Sequence, residues 1–89
     1  MSRARDEPDP DEVDATVLRI LRGVLQRPDL AFDRTLRAAD VPGWDSIRMV
    51  DILLDLEDAF GIRLPVRIMT ELRTVGDLAD AVRAQRAAS

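Results

Sequence analysis

Between Ser46 and Phe60 the apolar residues Ile47, Met49, Val50, Ile52, Leu53, Leu54, Leu56 and Phe60 cover well over half of a helical wheel, far more than the stripe by which a surface helix meets one neighbour. Such a helix is stable in water only when other elements flank it on two sides. Arg48, Asp51, Asp55 and Asp58 share the remaining arc as a narrow, mostly acidic ridge. Gly61 follows, the residue type suited to the left-handed position that ends a helix. The rest of the chain has to supply the cover.

Val13, Val17, Leu18, Ile20, Leu21, Val24 and Leu25 keep a helical period, with Asp11, Glu12 and Asp14 near the positive end, predicting a first helix that stops before Pro28. Residues 27–44 form a long connection, which in a small domain needs anchors of its own. Leu30, Phe32, Leu36 and Val41 are the candidates, with a short helical turn around Leu36. After Gly61 comes a short extended link, Ile62-Arg63-Leu64-Pro65, and then Ile68, Met69 and Leu72 predict a short helix over residues 66–72. Thr74 offers the next cap, with Asp77 as the shorter relative of the usual Glu in a capping box. Val75, Leu78, Ala79 and Val82 form the apolar face of the last helix.

The fold class expected is all-α, a four-helix bundle of three longer helices and one short one with a long first loop. Residues 1–10, charged and proline-bearing without an apolar period, are expected to form a disordered arm. The folded domain spans 11–84, and residues 85–89 fray.

Composition narrows the function. The 89 residues hold no cysteine and no histidine, which removes thiol chemistry, the usual general base and the commonest metal ligand. Catalysis by this chain alone is not expected. The carboxylate spacings match no calcium loop, so no metal site is expected either. A net charge of −4 argues against nucleic acid and for partners with basic patches. No apolar run is long enough to span a membrane and the first residues are charged, so a cytoplasmic location is expected. All thirteen basic residues are arginine, a composition bias without a mechanism. The initiating Met1 favours a free-standing chain over one excised from a megasynthase.

The clearest functional signal is Gly43-Trp44-Asp45-Ser46-Ile47, which sets one hydroxyl where a turn hands over to a helix. A helix start carries unpaired N–H groups and partial positive charge, so a phosphate ester on Ser46 is electrostatically favoured there. Asp45-Ser46-Ile47, the downstream Glu57-Asp58-Ala59-Phe60-Gly61-Ile62, then Leu64-Pro65 and Thr74-Val75-Gly76-Asp77-Leu78 together resemble the acyl carrier protein family, over roughly Val13 to Val82.

That resemblance implies that Ser46 is the attachment point for 4′-phosphopantetheine, taken from coenzyme A by a separate phosphopantetheinyl transferase with magnesium. The terminal thiol of the group then holds acyl or aminoacyl units as thioesters. Asp45 would contribute to the transferase and metal contact. Ile47, in place of the usual leucine, would be an apolar docking contact. Asp51, Asp55, Glu57 and Asp58, with Met69, are expected to form the surface recognised by loading and processing enzymes that carry basic docking patches, the chain itself staying monomeric. Arg48 and Val66-Arg67 stand where carriers of fatty-acid synthesis are more acidic. With Trp44, these departures incline the reading toward polyketide, nonribosomal peptide or related specialised biosynthesis, with fatty-acid synthesis as the alternative.

Plainer readings stand beside these. Ser46 could be an N-cap and nothing more, in a small helical interaction module whose apolar excess is a constitutive interface. The acidic ridge could be a solvated face, partly paired through Arg48 and Asp51. Ile47 and Met69 could belong to the core. Trp44 is expected to anchor the end of the loop, with its indole N–H reaching a backbone carbonyl.

Overall fold

The computed structural model describes residues 10–88, without the side chains of Pro10, Asp11, Val66 and Met69. Three helices carry it: α1, Pro10–Leu25; α2, Ser46–Phe60; and α3, Val75–Ala88. α1 buries Val13, Val17, Ile20, Leu21 and Leu25, α2 buries Met49, Ile52, Leu53 and Leu56, and α3 buries Val75, Leu78, Ala79 and Val82. These three faces meet in one apolar core.

The short fourth helix is not an α-helix. Val66–Glu71 is a 3-10 segment, so among the described residues the bundle has three α-helices rather than four. Six residues are too few to repay helix nucleation, and the β-branched Val66, Ile68 and Thr70 lower the propensity further. The tighter i→i+3 pattern of a connector forms instead, beginning with the Ile68 N–H donating to Pro65 O at 3.0 Å.

α3 also runs further than its apolar period, which ends at Val82. Residues 85–88 are helical, where fraying was expected. Arg83 pairs with Asp14 of α1 at 2.8 Å, and the Arg86 guanidinium lies 5.4 Å from the Phe60 ring centroid. Side-chain contacts to two neighbouring helices hold the last turns in place of core burial. The arm expected over residues 1–10 falls on residues 1–9, outside the described ones, and on Pro10, which opens α1.

The long connection is anchored as expected: Leu30 and Val41 are buried, and Phe32 and Leu36 pack against the core. Its short helical turn is a 3-10 piece at Ala38–Asp40, just past Leu36. The connection is also fastened to the start of α3 by its backbone. Arg37 and Thr74 form an isolated antiparallel bridge. Ala38 N–H donates to Arg73 O (3.1 Å), Val75 N–H to Leu36 O (2.9 Å) and Gly76 N–H to Arg34 O (3.0 Å).

The N-terminus of α3 is thereby fully satisfied. Beyond those two loop carbonyls, Asp77 N–H donates to Thr74 Oγ1 (3.0 Å), and Asp77 Oδ2 accepts from Arg73 and Thr74 N–H. This is the expected capping box. Gly76 suits this close approach, since a Cβ would stand 3.0 Å from Arg34 O. Outside this backbone contact, Arg34 grips Asp80 with both guanidinium nitrogens, at 2.8 and 3.3 Å. That charge-assisted pairing holds the Asp80 carboxyl below its usual range.

Candidate functional site

Val41-Pro42-Gly43-Trp44 makes the turn that sets the site. Trp44 N–H donates to Val41 O at 3.1 Å, and Gly43 has φ +92°, the pattern of a type II turn with proline second and glycine third. The turn drives Trp44 inward to 6% exposure and brings Asp45 and Ser46 out at the start of α2.

Asp45, not Ser46, caps the helix. Its Oδ1 accepts from Arg48 N–H at 2.9 Å, and its carbonyl accepts from Met49 N–H at 2.9 Å. Ser46 is therefore the first helical residue, exposed, and among the described residues its hydroxyl makes no hydrogen bond. The N-cap explanation of Ser46 is thus overturned: the neighbouring carboxylate does that work. Past the cap no acidic residue lies in the first turn of α2, so the partial positive charge of the helix start faces the Ser46 hydroxyl unopposed from within the helix.

A cavity of about 450 Å³ opens beside Ser46. Trp44, Met49 and Leu72 supply apolar wall, and Asp45, Ser46, Arg37 and Arg73 complete its lining with Ala38 and Ala39. Trp44 Nε1 is buried and has no hydrogen-bond partner among the described residues. The expected bond to a backbone carbonyl is not made. An unsatisfied buried donor of this kind costs on the order of 1–3 kcal/mol.

The outer face of α2 carries the residues expected to meet partners. Ile47 is 69% exposed, and Asp51, Asp55 and Asp58 are exposed as well, with Arg48 3.7 Å from Asp51. Leu54, one of the apolar residues that widen the wheel, is 54% exposed. It lies two turns from Ile47 on the same face, so the acids flank an apolar pair. The two-sided cover expected from the wide apolar wheel is not formed: Met49, Ile52, Leu53 and Leu56 are buried on one side of α2, and Ile47 and Leu54 are left to solvent. Glu57 is set apart: its Oε2 accepts from Leu64 N–H at 2.7 Å and fastens the chain as it leaves the helix. Met69 falls in the 3-10 segment and its side chain is outside the described ones. Among the described residues no cluster of three or more carboxylates is placed to hold a metal ion, and no helix is long and apolar enough to cross a membrane.

The family model for a phosphopantetheine attachment site matches residues 15–82, the whole of this arrangement. The chain belongs to that family. The group that membership brings is 4′-phosphopantetheine, covalently attached, and an exposed, unbonded hydroxyl at a helix start beside a cavity fits it. Among curated proteins the chain is similar to Nodulation protein F of Rhizobium leguminosarum bv. trifolii, 38% identical over 58 residues, 62% of this chain and 60% of the relative. It is also similar to the Acyl carrier protein of Tropheryma whipplei, strains Twist and TW08/27, 44% identical over 43 residues, 48% of this chain and 52% of each relative. The matches thus span little more than half the length of these relatives. No solved structure matches the chain.

Proposed function

We propose that Ser46 is the attachment residue and that the protein is a non-catalytic carrier, holding acyl or aminoacyl groups as thioesters for enzymes that load and process them. The observation that carries this is the Ser46 hydroxyl itself, exposed and excused from capping by Asp45. When bound, the prosthetic group supplies the thiol that a chain without cysteine lacks. Ser46 Oγ forms the new bond to phosphorus, the phosphoanhydride of coenzyme A breaks, and the nucleotide leaves. The N–H groups of the first turn of α2 then face the phosphodiester, whose negative charge the helix dipole favours.

Ile47 and Leu54, flanked by Asp51, Asp55 and Asp58, are read as the face met by partner enzymes. Such acids act mainly on association rate and specificity and are weakened by salt. Arg48 and Arg67 make this face less uniformly acidic, which supports a carrier of specialised biosynthesis, polyketide or nonribosomal peptide. The similarity to relatives named acyl carrier protein supports the fatty-acid alternative. The deciding experiment for the class is incubation with a phosphopantetheinyl transferase, coenzyme A and magnesium, read by intact mass. One phosphopantetheine is expected on the wild type and none on Ser46→Ala. Loading that survives Ser46→Ala overturns the assignment.

A further inference from the structure

α1 holds a glycine that nothing inside the molecule requires. Gly23 lies in the last turn of that helix, is exposed, has no positive φ, and a Cβ there would meet no atom within 4 Å. Glycine in place of alanine in a helix lowers the folding equilibrium constant by about two- to fivefold. The backbone that would use a glycine is further on, at Gln26 with φ +55°, so the turn that ends α1 does not account for Gly23.

The missing side chain leaves open a groove of about 550 Å³ between α1 and α2, which shares no residue with the cavity beside Ser46. Ile20 and Val24 of α1 and Leu54 of α2 give it apolar walls, and Asp51 and Asp55 line its α2 side. Asp51 has only its exposed 3.7 Å contact to Arg48, and Asp55 has no ion pair among the described residues. Arg19 is the one cation of the lining, so the groove is net negative. We propose that this groove, kept open by Gly23, is the socket in which the phosphopantetheinyl transferase seats one apolar side chain flanked by arginine or lysine. The inference rests on the reading that Ser46 receives the arm.

Charge and position commit the socket to that enzyme. It has to hold coenzyme A, whose phosphates call for arginine or lysine around the active site, and the same cations face Asp51 and Asp55 when Ser46 enters. It is also the partner that must reach Ser46 itself, whereas enzymes acting on the thiol work at the far end of the arm. Leu54 lies about 12 Å along α2 from Ser46 at the helical rise, and a packed neighbouring helix runs roughly 8–10 Å to the side. A partner surface of about 800 Å² is a disc roughly 16 Å in radius, so an enzyme seated over Ser46 and Ile47 reaches the groove. Ile47 and Leu54 are the exposed large hydrophobic residues among those described. Ile47 offers a knob beside Ser46, and Leu54 is the wall of a hole. A side chain at residue 23 fills that hole, so α1 helps select the transferase by shape.

The test measures steady-state loading by a phosphopantetheinyl transferase with coenzyme A and magnesium, read by intact mass, together with urea unfolding. It compares wild type, Gly23→Gln, and Ala15→Gln at an exposed α1 position outside the groove. Gly23→Gln is expected to unfold at higher urea than wild type, because the helix gains. It is nonetheless expected to raise KM about tenfold, the effect of one misfitted group in an apolar pocket. Its kcat should stay within about twofold of wild type, the pattern of binding lost equally from ground and transition states. Ala15→Gln is expected to leave KM unchanged.

An unchanged KM for Gly23→Gln overturns the socket and leaves Ser46 attachment intact. An equal rise in KM for Ala15→Gln overturns it too, as does a Gly23→Gln variant less stable than wild type, which contradicts the open space. Self-association of the wild type in sedimentation that Gly23→Gln abolishes gives the groove to a second copy and overturns the enzyme as its occupant. A wild type that takes up no phosphopantetheine overturns both readings.

Discussion

Gly76→Ala tests the fastening of the long loop to α3. Gly76 is buried, and an added Cβ would stand 3.0 Å from Arg34 O and 3.1 Å from Arg34 Cβ and Cζ. Two effects oppose each other. Alanine favours helix over glycine by up to about 1 kcal/mol in a helix interior, and by less in the first turn. Against this, overpacking a fitted contact costs about 1–3 kcal/mol. The backbone oxygen cannot swing aside, so relief requires the loop to retreat. Retreat lengthens the 3.0 Å Gly76 N–H to Arg34 O bond, worth about 1 kcal/mol net. It also disturbs the exposed Arg34–Asp80 pair, which adds at most about 1 kcal/mol. The clash wins, and a net loss of about 1–2 kcal/mol is expected, measured by urea unfolding at unchanged m-value. For a domain of this size that corresponds to a fall in Tm of roughly 5–15 °C. A Gly76→Ala variant as stable as the wild type, or more stable, would refute the close approach of loop and helix.

Further expectations follow from single observations. Gln26 ends α1 at φ +55° while Arg27 N–H reaches back to Arg22 O, so Gln26→Gly is expected to raise stability by about 1 kcal/mol in chemical denaturation. Asp45→Ala removes the cap of α2 and is expected to cost about 1 kcal/mol in the same assay. Leu54→Ser on the exposed face should leave stability within about 0.5 kcal/mol while lowering kcat/KM of the transferase or of a loading enzyme. The Asp80 carboxyl is depressed by its hydrogen bond to Arg34 below the ordinary 3.8, so its contribution is complete above that value and is lost as pH falls through the lower folded one. The urea midpoint of Asp80→Asn should therefore fall less steeply with acidification below that value than that of the wild type.

Much of this architecture is legible in the residues because local rules agree with the packing. α2 begins and ends where the Asp-Ser pair and Gly61 put it, and the Thr74–Asp77 box forms as the spacing indicates. What eluded sequence reasoning depended on partners distant in the chain. The backbone bridge from residues 34–38 to the start of α3 leaves no trace in apolar period, since carbonyls are present at every position; only Gly76, a glycine inside a helix start, hints at it. The helical end of α3 depends on Arg83 and Arg86 meeting Asp14 and Phe60, pairings that sequence separation conceals. The helix expected over 66–72 rests on apolar spacing alone, although the length and β-branching of the segment favour the 3-10 form found at Val66–Glu71. At the site, Ser46 was legible from its motif, but its release from capping required knowing which of two adjacent cap-type side chains turns back onto the helix. Leu54 was expected to be covered with the rest of the wide wheel, because its place on the wheel does not say which side of α2 is left open. That the Trp44 N–H is left unpaired depends on how the loop end packs the ring, which the residue types do not give.

The central claim, that the Ser46 oxygen bears the arm, is tested most directly by peptide mass after enzymatic loading. Trypsin cutting after Arg37 and Arg48 releases residues 38–48, in which Ser46 is the sole hydroxyl. The account predicts that this peptide alone gains the mass of one phosphopantetheine. An unmodified 38–48 peptide from protein that has taken up the group elsewhere, or from protein that has taken up none, contradicts it.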